Sequence, residues 1–264
     1  MTDQQTPYTL MELMICAASH ALEDGKTAVI GTGAPLAAAM LAQKTHAPNL
    51  IVLFEAGAMA AILQKLPISV AGSSTMTRAL VHSSMFDVME ACQRGMVDYT
   101  FLGGAQIDRY GNLNSTMIGA DYAHPKIRLP GSGGANDLAS LCWKTLAIVP
   151  HSARKFVEQV DHITTPGYLS GKGAREAAGL PPGTGPYRVI SNLAVMGFDP
   201  DTLCMRVESL HPGVTAAAVR ENTGFEIGFA PGAGVTPEPT PEELRILREE
   251  VDPGKMVIGK GVKE

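Results

Sequence analysis

The sequence predicts an α/β fold: a single open, mostly parallel sheet flanked by helices. Three observations carry this. Short apolar runs of four or five residues alternate with longer helical segments along the 264 residues. The runs are apolar on both faces, as strands inside a parallel sheet are. Several end at glycines or a carboxylate, the loop chemistry found at the carboxyl ends of such strands.

The first helix spans Thr9 to Asp24. Thr9 and Glu12 have capping-box spacing, Met11, Met14, Ile15, Ala18 and Leu22 recur at helical intervals, and Asp24-Gly25 stops it. Thr27–Ile30 is a β-branched run leading into Gly31-Thr32-Gly33, and Pro35 opens a second helix to Lys44. Leu50–Phe54, Tyr99–Leu102 and Leu146–Val149 are further buried strands, and a helix begins near Asn136. Gly167–Gly185 holds six glycines and reads as a long irregular loop. Tyr187–Asn192 and Met205–Ser209 read as added, antiparallel strands. Ala230–Pro241 reads as a proline- and glycine-rich linker, and Thr240, Pro241 and Glu243 start a last helix. There is no internal repeat, so the organisation expected is one domain over residues 1–264.

Composition narrows the function. At 45% hydrophobic and 18% charged, the chain can bury a core and lacks the composition of a disordered protein. A net charge of −5 without a basic stripe argues against a nucleic-acid partner. No apolar run is long enough for a membrane span, and MTDQQTPYTL lacks the pattern of a signal peptide, so a cytoplasmic location is expected. The four cysteines are far apart and form no C-x-x-C pair. The seven histidines show no H-x-x-x-H or H-E-x-x-H spacing, so no metal site is expected. G-x-S-x-G, the P-loop and G-x-G-x-x-G are also missing.

Three segments are candidates for chemistry. Glu55 directly follows the strand Leu50–Phe54 and precedes Ala56-Gly57, which puts a carboxylate at a strand end. On position alone the plainer reading is a helix cap or a solvent-facing side chain, since ordinary loops also begin at strand ends. Gly131-Ser-Gly-Gly-Ala-Asn136 is a glycine-rich turn before a helix, able to present free N–H groups to an oxyanion, or simply a tight turn. In Gly103–Thr116, Asp108, Asn112 and Asn114 suit bonds to the loop's own backbone, while Gln106 and the asparagines also have the reach to meet a ligand.

Together these segments resemble the B subunits of the glutaconate CoA-transferase group, within the family I CoA-transferases. The matching pieces are V-I-G-T-G-A-P-L (29–36), F-E-A-G (54–57), G-G-A-Q-I-D-R-Y-G-N-L-N-S-T (103–116) and H-P-K-I-R-L-P-G-S-G-G-A-N (124–136). T-P-G-Y (165–168), E-N-T-G-F (221–225) and R-E-E-V-D-P-G (248–254) follow in the same order. The family's glutamate stands in E-S-G, whereas Ala56 replaces that serine here. Ala58–Ser84 resembles the family least.

The resemblance implies the CoA-transferase fold and a two-subunit enzyme whose A-type partner completes a shared active site. It implies Glu55 as nucleophile, Gly133, Gly134 and Ala135 as donors near the thioester oxygen, and Gln106 and Asn136 near the substrates. Substrates would be an acyl-CoA and a carboxylic, by nearest likeness dicarboxylic, acid, with coenzyme A as carrier and no other cofactor. Glutamate carboxylates are ordinarily ionised at neutral pH and attack without a general base. Rival readings are an acyl-CoA hydrolase or decarboxylase of the same fold, a non-catalytic partner chain, and a sugar-phosphate isomerase or binding module. Retention of Glu55 argues against the first two. The third calls for a basic pocket, and only Lys126 lies near the glycine turn in sequence.

Overall fold

The computed structural model describes residues 8–70 and 72–259. The reading of the amino terminus concerns mainly residues 1–7, which lie outside the described residues.

Thr9 caps helix α1 (Leu10–His20) through the expected reciprocal box. Its Oγ1 accepts from the Glu12 N–H at 3.2 Å, and Glu12 Oε2 accepts from the Thr9 N–H at 2.7 Å. Strand β1 (Thr27–Val29), helix α2 (Ala34–Lys44) and strand β2 (Ile51–Leu53) follow. Two-residue strands β3 (Ala58–Met59) and β4 (Val81–His82) come before helix α3 (Met85–Gln93) and strand β5 (Tyr99–Leu102). Two small hairpins pair β6 (Gln106–Ile107) with β7 (Leu113–Asn114), and β8 (Met117–Ile118) with β9 (Ile127–Arg128). Helix α4 (Ala135–Leu141), strand β10 (Lys144–Ile148), helix α5 (Ala174–Ala177) and strand β11 (Gly185–Ile190) come next. Strands β12 (Ala194–Phe198) and β13 (Met205–Leu210), helix α6 (Ala216–Glu221), strand β14 (Gly228–Val235) and helix α7 (Pro241–Ile246) follow, and a π-helical turn over Leu247–Val251 continues α7.

Ten strands form one open sheet in the order β14-β13-β12-β11-β10-β5-β1-β2-β3-β4. The central block β11-β10-β5-β1-β2 is wholly parallel, and antiparallel pairings appear on both sides of it. The main core lies under α1 and α2, where Met14, Ile15, Leu36 and Leu41 pack with Phe54 and Tyr99. A second cluster joins β10–β13 to α6 around Phe156, Met196 and Val219.

Two expectations are corrected. The strand read over Tyr187–Asn192 as an antiparallel addition is β11, which runs parallel to β10 and antiparallel to β12. The segment read as a linker from Ala230 includes most of β14, which pairs parallel to β13 at the sheet edge. Pro231 is tolerated there because an edge strand needs donors on one side only, and a register shift opposite Gly232 absorbs its positive φ of 78°. The Gly167–Gly185 stretch is mostly irregular and is held by a buried arginine. Arg175 donates to the carbonyls of Pro166 and Gly167 at 3.1 and 2.7 Å and to Thr184 Oγ1 at 2.8 Å. Among the described residues, no helix is long and apolar enough to cross a membrane, and no cluster of three metal-binding side chains occurs.

Candidate active site

Strand β2 delivers Phe54 into the core and Glu55 out of it. Phe54 is fully buried, and the backbone then reverses: Gly57 N–H donates to Phe54 O at 2.9 Å and Phe54 N–H donates to Ala58 O at 2.8 Å. Glu55 and Ala56 form the tip of this turn. Glycine is required at its end for two reasons. Gly57 has φ of +113°, and a Cβ there would lie 2.2 Å from Ser83 O. Ser83 locks the turn from the far side, donating to Gly57 O from its N–H at 3.0 Å and from Oγ at 2.9 Å.

The Glu55 side chain is half-buried. Among the described residues it accepts no hydrogen bond and joins no ion pair. It lines a cleft of about 160 Å³ with Ile30 and Gly31 after β1, Leu102 at the end of β5, and Gly133 and Gly134. The cleft therefore lies at the carboxyl ends of β1, β2 and β5. Chain order reverses here, since β1 leads to β2 on one side and has β5 on the other. Open α/β sheets bind ligands at such switch points.

The glycine turn meets the carboxylate directly. A Cβ built on Gly134 would lie 2.5 Å from Glu55 Oε1 and 2.7 Å from Met89 Cε, so only a hydrogen at this position leaves the glutamate its place. Gly133 has φ of +52°, with open space where a side chain would be. The N–H groups of Gly133 and Gly134 make no hydrogen bond among the described residues. Ala135 also lines the cleft, but its N–H is donated to Ser132 O at 3.0 Å, so it is less available than the two glycines.

Gln106 and Asn136, expected near the substrates, are not brought into the cleft lining. Gln106 is buried, and its Oε1 accepts from Asn114 Nδ2 at 2.7 Å and from the Asp161 N–H at 3.0 Å. Asn136 Nδ2 donates to Thr164 O at 2.9 Å. The neighbouring Asp108 does what its loop suggested: its Oδ1 accepts from the N–H groups of Tyr110 and Asn112 at 3.0 and 3.1 Å. Burial pushes the Asp108 carboxyl above its ordinary range, against the opposing effect of these bonds and the Asn112 side chain.

Helix α3, with Met89 against the site, was missed from sequence. Its signal was present, because Ser84 and Asp87 have capping-box spacing and form that box.

Comparison with known proteins shows the family and the fold. The family model "Coenzyme A transferase" matches residues 11–222. The chain is 35% identical to the B-type subunit of glutaconate CoA-transferase from Acidaminococcus fermentans over 258 residues, covering 96% of each chain. It is 39% identical to the B-type subunit of 3-oxoadipate CoA-transferase from Pseudomonas knackmussii over 242 residues, covering 91% of this chain and 92% of the other. It is 33% identical to the cholesterol ring-cleaving hydrolase IpdB subunit of Rhodococcus jostii over 225 residues, covering 83% and 82% respectively. The crystal structure of the A. fermentans glutaconate enzyme superposes with a TM-score of 0.91 at 34% identity, covering 96% of this chain and 98% of that one.

Proposed function

This chain belongs to the coenzyme A transferase family, and from that premise we propose that it is the glutamate-bearing B-type subunit of a two-subunit CoA-transferase. The observation that carries the reading is the fit of Glu55 against Gly134. A carboxylate without hydrogen bonds among the described residues, at a strand-end switch point, rests on a glycine whose hydrogen alone leaves room for it.

The chemistry follows from a carboxylate and two N–H groups that make no hydrogen bond among the described residues. A Glu55 carboxylate oxygen attacks the thioester carbonyl of the donor acyl-CoA, the C–S bond breaks and CoA leaves as thiolate. The product is an acyl–glutamyl anhydride. The thiolate then attacks the glutamyl carbonyl, which releases the donor acid as its carboxylate and leaves a glutamyl–CoA thioester. The acceptor carboxylate attacks that thioester to give a new anhydride and free thiolate. Thiolate attack on the acceptor carbonyl forms the new acyl-CoA and returns Glu55. No metal or redox cofactor takes part, and coenzyme A is substrate and carrier. Each tetrahedral intermediate bears an oxyanion, and a well-placed N–H donor such as Gly133 or Gly134 contributes about 3 kcal/mol to barrier lowering. Water must be kept away, because it would divert the anhydride and thioester to hydrolysis.

The cleft is small, which fits a site completed by another chain. Relatives named as B subunits point to an A-type partner. We place its docking beside Glu55, on β4 and the start of α3. Leu80 and Phe86 there are 83% and 74% exposed, with Val81 and Met85 between them also exposed. Ser83, in the middle of this run, is hydrogen-bonded to the Glu55 turn. The donor and acceptor acids are proposed as carboxylates of the dicarboxylic type named in the relatives.

The similarity to a subunit named as a hydrolase supports one second reading, acyl-CoA hydrolysis. The deciding experiment incubates the two-subunit complex with acyl-CoA, with and without an acceptor acid. Transfer requires the acceptor and conserves total thioester. Loss of thioester at the same rate without acceptor would establish hydrolysis instead.

A further inference from the structure

The Gly131–Asn136 turn is stapled at both ends to two residues outside the cleft lining, Ser115 and Thr164. At its start, Ser115 grips Gly131 twice: Ser115 Oγ donates to Gly131 O at 2.9 Å, and Gly131 N–H donates to Ser115 O at 2.8 Å. At its end, Asn136 Nδ2 donates to Thr164 O at 2.9 Å. The two anchors are themselves joined, because Ser115 N–H donates to Thr164 Oγ1 at 2.9 Å. Thr164 Oγ1 also bonds Thr116 Oγ1 at 2.7 Å, and Asn114 Oδ1 accepts from the Thr116 N–H at 3.0 Å. Thr164 and Asn114, at the centre of the network, are buried at 3% and 0% exposed, while Ser115, Thr116 and Gly131 are half-buried and Asn136 is exposed.

Inside the turn, Ser132 O accepts from the Ala135 N–H at 3.0 Å and Ser132 Oγ from the Asn136 N–H at 3.2 Å, and neither bond is to a glycine. Gly131 and Gly133 have positive φ and open space around them, and Gly133 and Gly134 donate no hydrogen bond among the described residues. Glycines with positive φ and no side chain to pack have high conformational freedom. Yet Gly134 must stay within contact of the Glu55 carboxylate.

Resting on the function proposed above, we propose that Ser115 and Asn136 are positioning residues that set the Gly133–Gly134 backbone against Glu55, with Thr164 as their common anchor. Neither touches the reacting atoms. They act by fixing where the free N–H groups point, and the effect of losing them appears in the chemical step more than in binding. Asn136 thus serves the reaction from outside the cleft, in place of the substrate contact expected of it.

The test uses the two-subunit complex and three variants. Ser115→Ala removes one bond to Gly131, Ser115→Thr keeps the hydroxyl, and Asn136→Leu frees the exposed far end. Ser115→Ala and Asn136→Leu should each lower kcat by about tenfold or more while KM for the acyl-CoA stays within about twofold. Ser115→Thr should recover most of the rate. Hydrogen exchange of the peptide spanning residues 128–138 should be faster in Ser115→Ala and Asn136→Leu than in the unaltered complex. Unchanged kcat with unchanged exchange would overturn the proposal, as would an equal rise in KM. Should Ser115→Ala fail to fold, Asn136→Leu judges the staple alone. If the unaltered complex neither transfers CoA nor forms a glutamyl adduct, the functional reading fails, and hydrogen exchange still decides whether the staple holds the turn.

Discussion

Replacing Gly134 by alanine is the most specific perturbation the structure offers. The residue has φ of −82° and ψ of 3°, the bridge region that non-glycine residues occupy in ordinary turns, so the negative φ leaves the position open to alanine. What the methyl group meets is side chain: Glu55 Oε1 at 2.5 Å, Met89 Cε at 2.7 Å and Glu55 Cδ at 3.0 Å, against the 3.4 Å at which ordinary contact begins. The carboxylate must withdraw by about 1 Å, and a displacement of that size costs on the order of a hundredfold in rate, or about 3 kcal/mol of barrier. Both obstructing groups end flexible chains, so folding should lose only about 1 kcal/mol and the melting temperature about 2–4 °C. The assay is kcat/KM for CoA transfer by the complex beside its thermal unfolding. Activity within threefold of the unaltered complex would refute the placement of Glu55 against this turn. A collapse of stability would show that Gly134 serves the fold instead of the site.

Three further outcomes follow from the same geometry. Gly57→Ala should destabilise the chain by at least about 3 kcal/mol, since it adds a positive-φ penalty to a backbone clash with Ser83; a wild-type melting temperature would contradict the turn described here. Phe86→Asp with Leu80→Asp should abolish co-purification with the A-type chain while leaving the circular dichroism of this chain unchanged, and a persisting complex would move the docking surface elsewhere. Burial pushes the His151 imidazole down to about 4, from 6.5 in the unfolded chain. Between those values the unfolded state takes up a proton that the folded state refuses. Stability from this group is therefore full above about pH 6.5 and falls by at most about 3 kcal/mol as pH drops toward 4. Melting curves of His151→Gln should show a shallower acid slope than the unaltered chain, and equal slopes would contradict this account.

Elements with strong local signals were legible from the residues alone. The reciprocal boxes at Thr9–Glu12 and Thr240–Glu243 start α1 and α7 where their spacing indicated. The apolar run Tyr99–Leu102 is β5 with the same bounds. Elements set by long-range pairing were not legible. β3 and β4 are two residues each, too short to show a period, and exist because β2 offers them an open edge. β14 carries proline and glycines that argue against a strand by composition, and pairing at the sheet edge overrides that preference. The site divides in the same way. Glu55 at a strand end and the glycine turn 131–136 could be marked as candidates from sequence order. Their contact through Gly134 depends on α3 and α4 lying side by side, which no short pattern encodes. Ser115 and Thr164 stand 49 positions apart, and their bond has no local trace.

The central claim is that Glu55 becomes covalently bonded to CoA during turnover. The direct measurement is peptide mass spectrometry on the two-subunit complex after mixing with a panel of acyl-CoAs. The account predicts a CoA adduct, or its borohydride-reduced form, on the peptide containing Glu55, missing in Glu55→Gln and discharged by an acceptor acid. Steady release of free CoA with no adduct from any donor, or an adduct that persists in Glu55→Gln, would contradict it.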